Sequence, residues 1–457
     1  MLFQLPSFLI FLALFAGGLA ICPRPMVPGY VFLASLIFYG WWYPPYTVVI
    51  LGFVIATWVA GLLVRRRPGL LPLLVPLALL PLALFKYADF MLTSLEAVLN
   101  QPLPRLHWTL PLGVSFVTFT IISLLVDTAR RPGQPAPNFM ETAVYITFFP
   151  HLIAGPILRI GQILPQLNRI RLDRAGFTAN LGLFAVGMLK KVLIADPIGT
   201  WVDASYAGMT DGAGMGTIQA WLTMTGFSIQ IYCDFSAYSD MAIALAGMFG
   251  VRFPENFHKP YMATSMSELW RRWHMTLSFW LRDYVFKPLH KRFYRHARQA
   301  AIVMTMVISG LWHGADWTFV LWGLIQGVIM AAESASGYAQ WAGRQRGLSR
   351  ALCIMLLLVV WVLLTTFFRA PSIDTALVVL TSAFGGHGPG MIPAQAPLIA
   401  GLIAITLVLH PLDTIDRVRS AVARVPAALA LPVLLVVVIG CSMIAAGRPQ
   451  TFYYFDF

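Results

Sequence analysis

The sequence predicts an all-α, polytopic integral membrane protein, and three observations carry that reading. Of 457 residues, 58% are hydrophobic and only 11% charged, against roughly 25% charged in soluble domains. So little charge cannot cover a water-facing surface of this size, whereas lipid accepts an apolar one. Apolar runs of membrane-crossing length also recur from one end of the chain to the other. Finally, the basic residues stand in short groups between those runs, the pattern that marks cytoplasmic loops. That scatter sets nucleic-acid binding aside despite a net charge of +13, because a nucleic-acid surface gathers its Lys and Arg on one polar face.

The runs lie near 2–21, 28–43, 46–64, 70–85, 109–126, 216–232, 235–250, 301–335, 351–369, 394–410 and 426–446. At ~20 residues for a perpendicular crossing they predict about eleven transmembrane helices. The first is read as a retained span, since Ile21 is too bulky to precede a lipoprotein cysteine at Cys22 and no Lys or Arg leads the run. With the N-terminus outside, Arg24 falls inside and Tyr43-Pro44-Pro45-Tyr46 turns outside. Arg65-Arg66-Arg67 and Arg130-Arg131 then return to the inner side without adjustment.

The middle of the chain reads differently. Segment 140–157 is apolar between basic stretches, so it is expected to dip in and return. Around Lys190-Lys191 and over 252–298, basic residues alternate with aromatics. Such pieces lie in the interface or line a protein-covered cavity, as short re-entrant or interfacial helices. No internal repeat of the transporter kind and no low-complexity linker interrupts the chain, so 1–457 is expected to form one domain. Cys22, Cys233, Cys353 and Cys441 are widely separated, which indicates neither a zinc site nor a disulfide framework.

Two stretches carry candidate chemistry. In Glu268–Tyr284, helical spacing puts Trp270, Trp273, His274, Leu277, Trp280, Leu281 and Tyr284 on one face, with Arg271, Met275, Ser278 and Arg282 on another. His274 is then carried with the aromatics into apolar surroundings, although an interfacial anchor helix would use the same Trp and Arg. The second stretch, Ser309-Gly310-Leu311-Trp312-His313-Gly314-Ala315-Asp316-Trp317, lies within the run 301–335. An ionisable residue at membrane depth is a functional candidate, and a neutral imidazole is the form a general base needs. Gly310 and Gly314 would let a backbone or a substrate come close, and Asp316 could orient the ring. A packing histidine bonded to a carbonyl is the alternative. His151 is a lesser candidate, and Tyr232, Asp234, Ser236, Tyr238 and Asp240 suggest an interhelical hydrogen-bond cluster. The sequence has no Gly-x-Ser-x-Gly elbow, no phosphate-binding glycine loop and no His-Glu-x-x-His pair.

On these residues the chain resembles the membrane-bound O-acyltransferases, in the bacterial branch concerned with alginate O-acetylation. The resemblance runs in collinear order over nearly the whole sequence. It takes in Phe38-Tyr39-Gly40-Trp41-Trp42, Leu110–Phe116, Phe149–Pro156, Ile231–Ser236 with Tyr238–Met241, and Pro254-Glu255-Asn256-Phe257. The two histidine stretches and the ending Phe452–Phe457 complete it. Ala237, Asp316 and Pro288-Leu289-His290-Lys291 depart from the family's usual residues.

The resemblance implies spans around a tunnel, with His313 as the catalytic residue and His274 as its partner. Arg271, Arg272, Trp273, Trp312, Gly314 and Asp316 are the flanking residues expected to bind substrate or donor. Arg271, Arg272 and the basic run 287–298 would draw coenzyme A phosphates. His274 would position the acceptor or donate a hydrogen bond to an oxyanion or thiolate. The implied donor is a cytosolic thioester, acetyl-CoA, used as substrate with no bound cofactor or metal. The implied acceptor is an exported polysaccharide or a periplasmic acetylation partner, and the implied location is the bacterial inner membrane. A lipid-linked sugar flippase, and a non-catalytic subunit of a polysaccharide synthase complex, are the other classes the residues permit.

Overall fold

The computed structural model describes the chain except for residues 109, 132, 168, 210–213, 294–297, 387–392, 448–449, 451 and 454–457. Part of the basic run 287–298 and most of the aromatic ending thus lie outside the described residues. Among those described, every regular element is helical.

Five helices are long and apolar enough to cross a bilayer: Tyr46–Arg66, Pro68–Leu99, Trp317–Ser336, Gly347–Arg369 and Ala427–Gly447. A pair bent by 79°, Ala396–Leu412 with Ile415–Ala423, makes a sixth candidate. Other apolar runs fold as shorter helices, including Pro6–Ile21 with 16 residues and Val27–Gly40 with 14. At 1.5 Å per residue these reach about 24 and 21 Å, short of the ~30 Å hydrocarbon core of a typical bilayer. The long run 301–335 is divided between Arg298–His313 and Trp317–Ser336. The chain is an all-helical, multi-pass membrane protein.

The described residues group into two compact units whose sequences interleave. The first comprises 1–185, 238–254 and 422–451. Phe8, Phe11, Phe15 and Leu19 recur at helical spacing along Pro6–Ile21 and are buried. Phe8, Phe11 and Phe15 all pack on Phe149, with Phe15 and Phe149 centroids 5.0 Å apart. On the opposite face Ile10 and Leu14 are 63% and 70% exposed, as expected of residues solvated by lipid instead of water. Segment 140–157 is two short helices, Phe139–Thr147 and Phe149–Leu152, separated at Phe148. Asn138 and Glu141 close a capping box at the start of the first, satisfying two of its orphan backbone donors. His151 is buried there, its Nε2 2.9 Å from the Tyr145 carbonyl, which is the bond of a packing histidine.

The second unit comprises 186–237, 255–421 and 452–457 and holds both histidine stretches. Lys190 and Lys191, expected above in the interface or along a protein-covered cavity, are buried in a helical turn at 8% and 3% exposure. Lys190 lies 3.2 Å from Asp413, and Lys191 lies 2.7 Å from Asp196 and 2.8 Å from Asp234. Buried ammonium groups need carboxylate partners, and Asp234 and Asp413 come from elsewhere in the sequence. Tyr232 joins the network by donating to Asp413 at 2.6 Å, and Asp234 accepts from the backbone N–H of Tyr453 at 2.8 Å. For Tyr232 and Asp234 the anticipated polar cluster is therefore an ion-pair network.

Candidate active site

His313 closes the helix Arg298–His313, and Asp316 opens the helix Trp317–Ser336. Where Gly310 and Gly323 face each other, the two helices pack with no side chain between their backbones. A Cβ on Gly310 would stand 2.2 Å from the Phe319 carbonyl oxygen, and one on Gly323 would stand 2.4 Å from that of Met306. The Gly310 and Gly323 backbones therefore meet directly, with dispersion contact along both in place of side-chain interdigitation. The close approach anticipated at Gly310 is by backbone. At Gly314 it is by the Phe319 ring, which a Cβ would meet at 2.0 Å.

This packing fixes the place of the His313 ring. Its centroid is 4.9 Å from Trp312, 5.3 Å from Trp322 and 5.3 Å from Phe368. The residue is 2% exposed. Asp316 acts on the backbone: its Oδ1 accepts the Thr318 N–H at 2.8 Å and caps the second helix. That oxygen holds the turn, a role distinct from the expected orientation of the ring.

His274 is held by other means. The periodicity of 268–284 predicts one continuous helix, but the chain forms Met266–Trp270, a turn, and then Met275–Leu281. At the break His274 has φ 42° and ψ 51°, the left-handed region, which costs a side-chain-bearing residue about 1 kcal/mol or more. The segment around Asn256 compensates. Its carbonyl accepts the Met275 N–H at 2.9 Å, and the Arg272 carbonyl accepts the His258 N–H at 2.8 Å. Asn256 Oδ1 accepts from the Thr276 backbone N–H at 3.2 Å and the Thr276 hydroxyl at 2.9 Å. His274 Nδ1 lies 3.2 Å from the same oxygen.

The His274 ring stands edge-on to Phe235 at 4.5 Å and 5.9 Å from Trp312. It lies in the short-helix segment between candidate spans and is fully buried. Burial alone pushes its imidazolium form down to about 3, so the ring is neutral at physiological pH. The two histidines, 39 positions apart in sequence, thus share one neighbour: each packs on the Trp312 indole.

The remaining expected residues divide clearly. Trp273 is buried among Phe257 and Trp361, each 5.1 Å away. Arg272 is committed to Glu268 through Nε and Nη2, 3.0 and 2.8 Å from one carboxylate oxygen. Arg271 is exposed. Arg282 and Lys287 both pair with Asp283. Two buttresses join the short helix to the hairpin: the Trp270 Nε1–H donates to Gln326 at 2.8 Å, and the Glu333 carboxylate accepts the Met266 and Ser267 N–H groups at 2.7 and 2.8 Å. Sequence reasoning had no signal for Gln326, Glu333 or Phe368 as neighbours of the site, and Phe235 entered only within a family motif. Asn256 entered only as part of a family motif. Among the described residues, no group of three or more His, Cys, Asp or Glu could hold a metal ion.

Residues 68–341 match the profile of the membrane-bound O-acyltransferase family. The chain is 36% identical over 383 residues to the probable alginate O-acetylase of Azotobacter vinelandii, covering 80% of this chain and 74% of the relative. It is 32% identical over 434 residues to the peptidoglycan O-acetyltransferase of Helicobacter pylori, covering 85% and 80%. With the teichoic acid D-alanyltransferase of Bacillus subtilis it shares 27% over 231 residues, or 48% and 58% of the two chains. Two buried imidazoles packed on one indole, in a multi-pass chain with this breadth of similarity, lead to one conclusion: the protein belongs to the membrane-bound O-acyltransferase family and is an O-acyltransferase.

Proposed function

We propose that the protein moves an acetyl group from a cytosolic thioester, acetyl-CoA, toward an exported polysaccharide or a periplasmic protein that completes the transfer. The observation that carries this reading is the pair of buried histidines on Trp312. The similarity to relatives named for alginate and peptidoglycan O-acetylation supplies the acyl group and the acceptor class. The reading includes the bacterial inner membrane and about eleven crossings, some of them tilted or short, around a tunnel reached by donor and acceptor from opposite sides.

In the proposed reaction His313 accepts the proton of the acceptor hydroxyl while its oxygen attacks the thioester carbonyl. The tetrahedral intermediate collapses with loss of the thiolate. The C–S bond breaks, the C–O ester bond remains, and the imidazolium returns its proton to the departing sulfur. A well-placed base contributes about 10²–10⁴-fold, and the aromatic enclosure supports it by excluding water that would hydrolyse the donor. Trp312, Trp273 and Gly314 shape that enclosure, while Asp316 and Arg272 hold the backbone around it. Exposed Arg271 is the cation proposed to attract the donor's phosphates.

The test compares O-acetyl content of envelope and secreted polysaccharides in cells lacking the protein and complemented with wild type or His313→Ala at equal membrane abundance. Wild type is expected to restore an ester that the variant does not. Equal restoration would make His313 structural and return the flippase and non-catalytic subunit readings to the front.

A further inference from the structure

The hydrogen bonds around Asn256 decide a question that composition cannot: which nitrogen of His274 carries the proton. The Thr276 backbone N–H can only donate, and it points at the Asn256 side chain from 3.2 Å. The amide atom facing it is therefore the oxygen, an acceptor and never a donor. The Thr276 hydroxyl, 2.9 Å from the same atom, fits that orientation as a second donor. His274 Nδ1, 3.2 Å from this oxygen, has a hydrogen bond available only if it bears the hydrogen. In a neutral imidazole the other nitrogen is then bare. Among the described residues, Nε2 is buried with no hydrogen-bond partner.

We infer that Asn256 is a positioning residue that locks His274 in the Nδ1–H tautomer and presents Nε2 as a hydrogen-bond acceptor to the acyl acceptor. The inference rests on the acyltransfer reading above and narrows it. A neutral His274 of this tautomer cannot donate to an oxyanion or a leaving thiolate. It can receive an O–H of the acceptor other than the one His313 deprotonates, and so orient a polyhydroxylated molecule such as a sugar. Asn256 controls the backbone as well as the ring. Its carbonyl takes the Met275 N–H at 2.9 Å, immediately after the left-handed turn at His274, so one residue sets both the entry angle of the side chain and its tautomer. No titratable group is among the ring's described contacts Asn256, Phe235, Phe257 and Trp312. The amide is thus the polar group that distinguishes its two nitrogens.

Two measurements test this on the full-length protein. ¹⁵N NMR of ring-labelled histidine, with His274 assigned by its loss in His274→Gln, should show a protonated Nδ1 and a bare Nε2. An Nε2–H tautomer overturns the inference whatever the activity. In the second, Asn256→Leu removes the acceptor and Asn256→Asp keeps one. The leucine variant is expected to lose roughly 10²-fold in kcat, with KM for the donor within a few-fold. The aspartate variant should recover most of the rate, with the acid limb of its pH profile moved upward because a carboxylate stabilises the imidazolium. Equal losses in both variants at matched abundance would make Asn256 merely structural. Failure of the wild type to transfer any acyl group would sink the proposed function, while the NMR result would still decide the tautomer.

Discussion

The two histidines occupy similar chemical settings and are held there by opposite means. His313 sits at the end of a hairpin whose helices meet at glycine, where a Cβ on Gly310 would be 2.2 Å from a backbone oxygen. Its position is set by van der Waals contact, which tolerates little displacement. His274 sits at a break between two short helices, in a left-handed backbone conformation fastened by side-chain and main-chain bonds from Asn256. The contrast teaches that one site can combine a rigid wall made of packing with a hydrogen-bonded turn. The two should fail under different perturbations.

The sharpest way to break the packed side is Gly310→Leu. Its side chain has no space against the Phe319 carbonyl, and overpacking of this kind costs about 1–3 kcal/mol or more. The variant should show a lowered melting temperature in detergent and reduced membrane abundance. Wild-type thermal stability would mean that the helices separate easily and that packing does not hold His313.

Acid should act on the other side. His274 is held down to about 3 in the folded chain, against about 6.5 unfolded. Between those values the unfolded state binds the additional proton. This residue's contribution is therefore present above pH ~6.5 and is lost as pH falls below it. Wild type should lose stability between pH 6.5 and 4 more steeply than His274→Gln. Parallel pH curves would show that the imidazole is solvated after all.

The smallest expected effects concern the arginines beside that turn. Arg272→Ala removes a half-buried pair with Glu268 and should cost under about 1 kcal/mol, leaving apparent donor affinity within twofold. Arg271→Ala should weaken donor affinity a few-fold at low salt, and the difference should fade near 0.5 M salt. A loss at Arg271 that is insensitive to salt would replace phosphate steering by a direct contact.

These contrasts also explain what could be read from sequence. The glycines at 310 and 314 around an in-membrane histidine announce close approach, and the structure supplies the backbone and ring that approach. The break at His274 left no local trace. Trp270, Trp273, Leu277 and Trp280 keep helical spacing across it, while the bonds that stabilise the turn come from Asn256, 18 residues earlier. Periodicity reports which face is apolar and is blind to a tertiary donor or acceptor that interrupts the ladder. Lys190 and Lys191 illustrate the same limit. Their charge suggests the interface or a polar cavity, and only the fold shows that Asp234 and Asp413 are brought beside them.

That ion network bears on how the protein is made. Lys191 has Asp196 five positions on, so a partner emerges from the ribosome almost at once. For Lys190, the Asp413 carboxylate is synthesised 223 residues later. During that interval the growing chain passes through membrane insertion without this counter-charge. The segment carrying Lys190 is therefore made and inserted before its ion pair with Asp413 can form. A chain halted before residue 413 would retain both histidine motifs and still lack this member of the second unit's ion network.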